Sequence, residues 1–330
     1  MAEIEKAVKS NGAPRNRTLR LTDEETNIYR QKIVSLKNPA TREEIYNKTI
    51  CGDSFEILSL LPEKKFDLLF ADPPYNLTKK FGENSFRQTS IEDYETWLDS
   101  WLAHAARLLK PTASVYICGD WRSSSAIQRV GMKYFRLQNR ITWEREKGRG
   151  ALKNWKNASE DIWFFTVSDN YVFNAEAVKI KRKVLAPYRE NGAPKDWEKS
   201  DDGNFRLTSP SNLWTDLTVP FWSMPENTMH PTQKPEKLLA KIILASTREN
   251  DLILDPFAGS GTTAIVAKKL NRNFTAIERD ENYCLLAEKR LDSAETDKTI
   301  QGFSDGVFWE RNSANFVSRK GAKSAKNKIE

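Results

Sequence analysis

The sequence predicts an α/β protein: a doubly wound, mixed but largely parallel sheet with helices on both faces and an irregular region inserted between its two halves. Three observations carry that prediction. Short apolar runs and helix-period segments alternate between residues 48 and 143, the order that lays parallel strands beneath crossover helices. A second stretch, 251–270, reads strand, glycine-rich turn, helix, which is how such a sheet opens onto a ligand at a strand's carboxyl end. A length of 330 residues with 39% hydrophobic and 29% charged content supplies an ordinary globular core.

The elements follow in order. Residues 1–20 carry Lys6, Lys9, Arg15, Arg17 and Arg20 and read as a basic arm. Thr22 with Glu25 three residues on is a capping box, so a helix is expected over 22–37. Residues 48–53 form a strand ending in Gly52-Asp53, followed by a short helix over 55–61 that Pro62 stops. The run 66–71 is a buried strand that opens into Asp72-Pro73-Pro74-Tyr75-Asn76. Residues 77–90 are polar and read as a mobile loop. Over 91–109 the apolar stripe Tyr94, Trp97, Leu98, Trp101, Leu102, Ala105 and Leu108 predicts a long helix whose aromatics are core. A strand at 113–118, a helix at 123–130, a strand at 136–144 and a strand at 161–167 come next. The last of these turns at Ser168-Asp169-Asn170 and returns as a strand over 171–173.

Between 145 and 227 the pattern breaks. Arg145, Lys147, Arg149, Lys153, Lys156, Lys181 and Arg182 are interleaved with Trp155, Trp197, Trp214 and Trp222. Cations neutralise phosphates and aromatic planes stack on bases, so this region is the expected nucleic-acid surface, with Arg145, Lys147, Arg149, Lys153, Trp155, Lys181 and Arg182 as contacts, together with Asn76. The excess of 52 Lys+Arg over 45 Asp+Glu, a net charge of +7, favours a polyanionic partner.

Composition also excludes. Two histidines, His104 and His230, leave little for a His-rich metal site or a catalytic triad, and no metal is expected. Cys51, Cys118 and Cys284 are odd in number and far apart, which speaks for a reducing compartment. No apolar run approaches the roughly 18 residues of a membrane span and no signal-type segment opens the chain, so a cytoplasmic protein is expected.

The chemistry-bearing residues fall in two clusters. Two prolines donate no backbone hydrogen bonds, so the Asp72 carboxylate and the Pro73 carbonyl are left as acceptors beside the Tyr75 ring. That arrangement suits a flat group bearing an NH2. The second cluster is Asp255-Pro256-Phe257-Ala258-Gly259-Ser260-Gly261-Thr262-Thr263. A phosphate-binding P-loop would need Lys after Gly261, where Thr262 stands, whereas the dinucleotide pattern Gly-x-Gly-x-x-Gly meets Ala264 in its last place, a tolerated variant, and stays open. The following strand, 273–277, leads to Glu278, an acid placed for ribose hydroxyls.

In this order the two clusters resemble the S-adenosylmethionine-dependent amino DNA methyltransferases of the β arrangement, in which Asp-Pro-Pro-Tyr comes first and Phe-x-Gly-x-Gly late. The resemblance runs from about residue 49 to 291 and takes in Gly52-Asp53, Asp72 to Asn76, Ile141-Thr142-Trp143, Asn157-Ala158-Ser159-Glu160, His230 to Pro235, Asp255 to Thr263 and Glu278. It implies a Rossmann-like methyltransferase sheet of seven strands with an inserted irregular target-recognition region. One catalytic domain is made of 46–175 and 228–295, and the recognition region over 145–227 overlaps its edge. A basic arm and helix over 1–45 and a basic tail over 296–330 flank them.

It implies S-adenosylmethionine as cofactor. Phe257, Gly259 and Gly261 would cradle its methionine part, Glu278 its ribose and Asp53 its adenine end; Asp72, Asp255, Pro256, Thr262 and Thr263 complete the cofactor set. Asp72, Pro73, Pro74 and Tyr75 would be catalytic. The two acceptors draw the hydrogens of a flipped base's amine, and Tyr75 stacks on the base. The expected reaction is N6 methylation of adenine at a specific site in double-stranded DNA, within a restriction system. A cognate endonuclease is a candidate partner, and the chain is expected as monomer or homodimer. N4 methylation of cytosine is the alternative, since Asp in the first position only leans toward adenine. Methylation of RNA or protein, and sequence-specific DNA binding without turnover, are readings of other classes.

Overall fold

In the computed structural model, which describes residues 16–81, 84–145, 153–184, 189–200 and 203–311, the chain enters at one edge of a sheet, crosses to its middle and from there winds outward in two directions. Helix α1 (Asp23–Arg30) leads to β1 (Lys48–Cys51), α2 (Ser54–Leu60) and β2 (Phe66–Ala71). A hairpin of β3 (Lys79–Phe81) and β4 (Asn84–Phe86) precedes α3 (Ile91–Leu108), β5 (Leu109–Gly119), α4 (Ser124–Tyr134), β6 (Arg136–Glu144) and β7 (Ser159–Thr166). An insertion follows, with β8 (Ile180–Lys183), β9 (Arg189–Glu190), β10 (Ala193–Pro194), β11 (Glu198–Ser200), β12 (Gly203–Thr208) and β13 (Leu213–Trp214). The chain then returns through α5 (Glu236–Ser246), β14 (Leu252–Asp255), α6 (Thr262–Lys269), β15 (Asn273–Glu278) and α7 (Glu281–Thr296), and closes with β16 (Phe303–Ser304) and β17 (Val307–Trp309).

The main sheet has the order β1-β15-β14-β2-β5-β7-β6-β13. Its seven long strands match the expectation, and the two-residue β13 adds an eighth at the edge, parallel to β6. From β1 to β5 all pairs are parallel, whereas β7 runs antiparallel to both neighbours. Ile253 faces Leu68 and Leu254 faces Leu69, so β14 and β2 lie side by side with their carboxyl ends at the same edge. From there one connection runs toward β5 and the other toward β15. This divergence is the switch point, where an open α/β sheet leaves a crevice for ligand.

Two cores form, one on each face. Leu238, Leu239, Ile242 and Ile243 of α5 and Ala264 to Ala267 of α6 pack with Phe70, Ile253 and Phe274. Leu58 of α2, Tyr94, Trp101 and Leu108 of α3 and Ile127 of α4 pack with Leu69, Val115 and Leu254. The α3 stripe is buried as its period predicts, with Trp97 half-covered.

Four local expectations change. Helix α1 has the Thr22 to Glu25 capping box but stops at Arg30, because Val34 is drawn into extended backbone, donating to Thr49 O and accepting from Cys51 N beside β1. The 77–90 segment is not a plain loop: it carries the β3–β4 hairpin, and Phe86 packs edge-on against Tyr94 and Trp97. Residues 171–173 form no return strand. Tyr171 and Phe173 instead lay their rings against Phe164. The insertion is also more ordered than its composition suggests. Strands β11, β12, β8, β17 and β16 make a second sheet, so residues 303–309, which the sequence leaves in the tail, pair back onto β8. Among the described residues no helix is long and apolar enough to cross a membrane.

Candidate active site

At the switch point lies a cavity of about 370 Å³ walled by both motifs: Asp72, Pro73, Pro74 and Tyr75 on one side, and Asp255 to Ser260 with Thr262, Thr263 and Glu278 on the other. Volumes of this order hold a ligand of several hundred daltons. The two motifs are separated by some 180 positions in sequence and meet only because β2 and β14 are neighbours.

The Asp72 turn is held from outside. The Tyr94 hydroxyl on α3 donates to Pro74 O at 2.9 Å, and Asn76 N donates to Ser123 Oγ at 3.1 Å. None of the described residues donates to Pro73 O. The Tyr75 hydroxyl lies 2.9 Å from Asp72 Oδ1 and 3.1 Å from Glu160 Oε2. Burial, with the Asp72 and Glu160 carboxylates beside it, pushes the Tyr75 phenol well above its ordinary value, so it remains a neutral donor.

The glycine turn is built around Asp255. Its carboxylate accepts from Phe257 N at 3.0 Å and from Thr263 Oγ1 at 2.5 Å, closing the loop onto the first turn of α6. Burial pushes this carboxyl up to about 7. Gly259 (φ +52°) donates to Glu278 Oε2 at 2.8 Å, and a Cβ there would lie 2.8 Å from His230 Nε2. A side chain at 259 would therefore fill the space between the turn and the His230 ring. Glu278 also accepts from Asp280 N, and burial raises its pKa. Asp53 caps α2 by accepting from Phe55 N at 2.9 Å, and it lines the cavity as well. The Ser54 hydroxyl donates to Pro256 O and ties that turn to the glycine turn.

Several expected residues stand elsewhere. Gly261 (φ +78°) is not on the cavity wall. Its Cβ would come within 2.5 Å of Ala287 Cβ, so its task is the close approach of α7. Asn76 is not a surface contact: it is 6% exposed, and its amide clasps Thr89 through Thr89 N and O. Arg145 turns inward, lining the cavity and pairing with Glu160. Lys181 is half-buried between the rings of Phe205 and Trp309, and Arg182 lies 3.9 Å from Glu310, so both serve the second sheet. Lys147 and Arg149 fall outside the described residues. Lys153 is exposed, and Trp155 is 93% exposed, two positions before Asn157 on the cavity wall.

Sequence reasoning missed two central residues. Lys234 Nζ is 2.5 Å from Asp72 Oδ2 and 3.4 Å from Glu160 Oε2, and Glu160 faces it from the start of β7. Both sit inside runs that the sequence marks, 157–160 and 230–235. The one signal for their task is a pair of opposite charges beside apolar elements, and nothing local says that they meet.

The profile of the N6/N4 DNA methylase family matches residues 66–289. The DNA adenine methyltransferase YhdJ of Escherichia coli (strain K12) is 37% identical over 258 residues, covering 75% of this chain and 83% of that protein. The type II methyltransferase M.HpaI of Haemophilus parainfluenzae is 34% identical over 252 residues, 74% of each chain. Among solved structures, the M1.HpyAVI complex with SAM superposes with a TM-score of 0.51 at 27% identity, covering 74% of this chain and 98% of that one. The cytosine-N4-specific PvuII DNA methyltransferase shares the fold, with a TM-score of 0.55 at 20% identity, covering 78% and 88%.

Proposed function

The chain belongs to the β-group amino DNA methyltransferases of the N6-adenine/N4-cytosine family, and from that premise we propose that it methylates the exocyclic N6 of adenine at a specific site in double-stranded DNA. The observation that carries the reading is the single cavity shared by the Asp72 turn and the glycine turn, which lets a base amine and a cofactor lie against each other.

The cofactor is S-adenosylmethionine, and the cavity suits it. Glu278 offers a carboxylate for vicinal hydroxyls, Gly259 lets the turn lie close against the His230 ring, and Phe55, Trp97 and Phe257 give apolar walls. When bound, it supplies an already activated methyl group. An exocyclic amine is a weak nucleophile because its lone pair is delocalised into the ring. Asp72 and Pro73 O, accepting its two hydrogens, pull the nitrogen toward tetrahedral geometry and stabilise the charge it gains. Tyr75, held by its hydroxyl, presents its ring to the base. Reaching the amine in a duplex requires the base to leave the stack, at a few kcal/mol.

Adenine is favoured over cytosine by the aspartate at 72 and by YhdJ, which is named as an adenine methyltransferase. The type II relatives favour a place in a restriction system with a cognate endonuclease, acting in the cytoplasm. Exposed Lys153 and Trp155, shortly before Asn157 in sequence, are the DNA contacts this reading retains. The test is transfer of tritiated methyl from the cofactor to duplex DNA, RNA and protein, with digestion of the labelled DNA to nucleosides. N6-methyladenine is expected. N4-methylcytosine alone would overturn the adenine assignment, and no label in DNA would overturn the reading itself.

A further inference from the structure

Inside the cavity runs a chain of alternating charges of which methyl transfer, as derived so far, uses only Asp72. Asp72, Lys234, Glu160 and Arg145 follow one another, with Lys234 Nζ 2.5 Å from Asp72 Oδ2 and 3.4 Å from Glu160 Oε2, and Arg145 on the other Glu160 oxygen. The side chains of Lys234 and Glu160 are 7% and 6% exposed. Tyr75 bridges the same two carboxylates and lies 3.3 Å from Lys234 Nζ. Lys234 stands in the segment before α5, 162 positions from Asp72, so its ammonium reaches the cavity by tertiary placement alone.

We propose that Lys234 is a positioning residue for methyl transfer: shared between Asp72 and Glu160, its ammonium keeps the Asp72 carboxylate anionic and correctly turned, so that Asp72 meets the base amine as a hydrogen-bond acceptor. The inference rests on the methyltransferase reading and deepens it. An acceptor beside a nitrogen that gains positive charge works only while it is ionised, and a cavity walled by other acids opposes that ionisation. The groups facing Asp72 are the acids Glu160 of β7, Asp255 of β14 and Asp120 after β5, the Cys118 thiol of β5, the Tyr75 phenol and the cations Lys234 and Arg145. Burial pushes Cys118 and Tyr75 up, so neither adds charge near neutrality.

Asp255, whose bonded partners among the described residues are a backbone amide and a hydroxyl, is pushed by burial up to about 7, whereas Asp72 has the Lys234 ammonium at 2.5 Å. Burial alone would lower the pKa of Lys234, but Asp72 and Glu160 outweigh burial and hold it above the usual lysine value, so the ammonium persists throughout the working range. Each carboxylate oxygen has two lone-pair directions, so Asp72 can accept from Lys234 and Tyr75 and still accept from an amine. Glu160 holds the ammonium from its other side and fixes it over Asp72.

The test compares Lys234→Met, Lys234→Arg and Glu160→Gln with the wild type in single-turnover methyl transfer to a duplex oligonucleotide across the pH range, with infrared spectra of each protein alone. Lys234→Met is expected to lose roughly 10²–10³-fold near neutrality, to recover part of the loss as pH rises, and to show a protonated-carboxyl band additional to that of the wild type, which disappears in the double variant with Asp72→Asn. Lys234→Arg restores the charge and returns the acidic limb to its wild-type position, even where its shape lowers the rate. Glu160→Gln removes a negative neighbour, so its limb moves toward lower pH; this arm stands if Lys234→Met fails to fold. A Lys234→Met profile parallel to the wild type without the additional band, or a Glu160→Gln limb moved upward, overturns the inference. Wild type that transfers no methyl to DNA overturns the proposed function instead, and the infrared comparison separates the two failures.

Discussion

Asp72 and Asp255 are neighbours across one cavity and have opposite surroundings, which makes them the two informative single sites. Asp72→Ala removes the acceptor for the amine, and methyl transfer should fall by about 10³-fold or more, while cofactor binding, read by titration calorimetry, changes far less. Among the described residues no cation is bonded to Asp255, and burial raises its pKa from an ordinary 3.8 to about 7. The folded state therefore binds more protons than the unfolded chain between those values. The stability contribution is present below about 4 and is lost as pH rises through about 7. Asp255→Asn keeps the shape of the turn without the titration, so its urea midpoint should improve relative to wild type between pH 5 and pH 8. A variant that weakens steadily over that interval would mean that the ionised carboxylate itself holds the turn.

Elements set where these residues meet. Gly261 has φ +78° and its α carbon faces Ala287, so Gly261→Ala must strain the backbone and push α7 from α6. A loss of about 1–3 kcal/mol in chemical denaturation is expected, larger than for a substitution on the exposed face of α7. The α3 stripe, the 66–71 strand with its Pro-Pro turn, and the strand, turn and helix around Gly259 were legible in sequence because each depends on local backbone chemistry: a 3.6-residue period, two missing amide donors, a positive φ. Lys234 and Glu160 were not, since neither position carries a local rule and their meeting depends on β7 lying antiparallel beside β5. Gly261 was assigned to the ligand for the same reason, because a glycine that makes room for a helix looks identical in sequence to one that makes room for a cofactor. Strands β16 and β17 escaped because two or three residues show no period; only pairing with β8 defines them. Trp155 is 93% exposed, two positions before Asn157 on the cavity wall, so burial among the described residues does not account for its being aromatic. Trp155→Ala should weaken duplex binding by about tenfold or more, in line with the loss of one stacked base, and leave the thermal midpoint unchanged.

Across the whole molecule, residues 16–32 join the 222–227 loop to α7, two regions that lead to the cavity. Arg17 N and Leu19 N donate to the carbonyls of Trp222 and Asn227, and Asn227 Nδ2 donates to Thr18 Oγ1. Farther on, Arg30 pairs with Glu281, Lys32 with Asp292 and Glu25 with Lys289, all on α7. The 222–227 loop leads into Thr228 and His230 and so to Lys234, while α7 backs Gly261 and follows Glu278. These surface ion pairs are each worth about 1 kcal/mol or less, so this strap adds little to global stability. Its effect should lie in placement. A chain lacking residues 1–20 loses the backbone bonds to 222 and 227 but keeps α1 and its pairs. Its thermal midpoint should fall by only a few degrees. The KM for cofactor should rise, because His230 packs against the Gly259 turn, and the rate should fall, because Lys234 follows four residues later. The same truncation removes five cations, Lys6, Lys9, Arg15, Arg17 and Arg20. If the arm also lies on DNA, the salt dependence of duplex binding becomes shallower by about 0.9 for each phosphate that is no longer neutralised. Unchanged kinetics with a shallower salt slope would make these residues a DNA arm and nothing more, whereas changed kinetics at an unchanged slope would make them a strap alone.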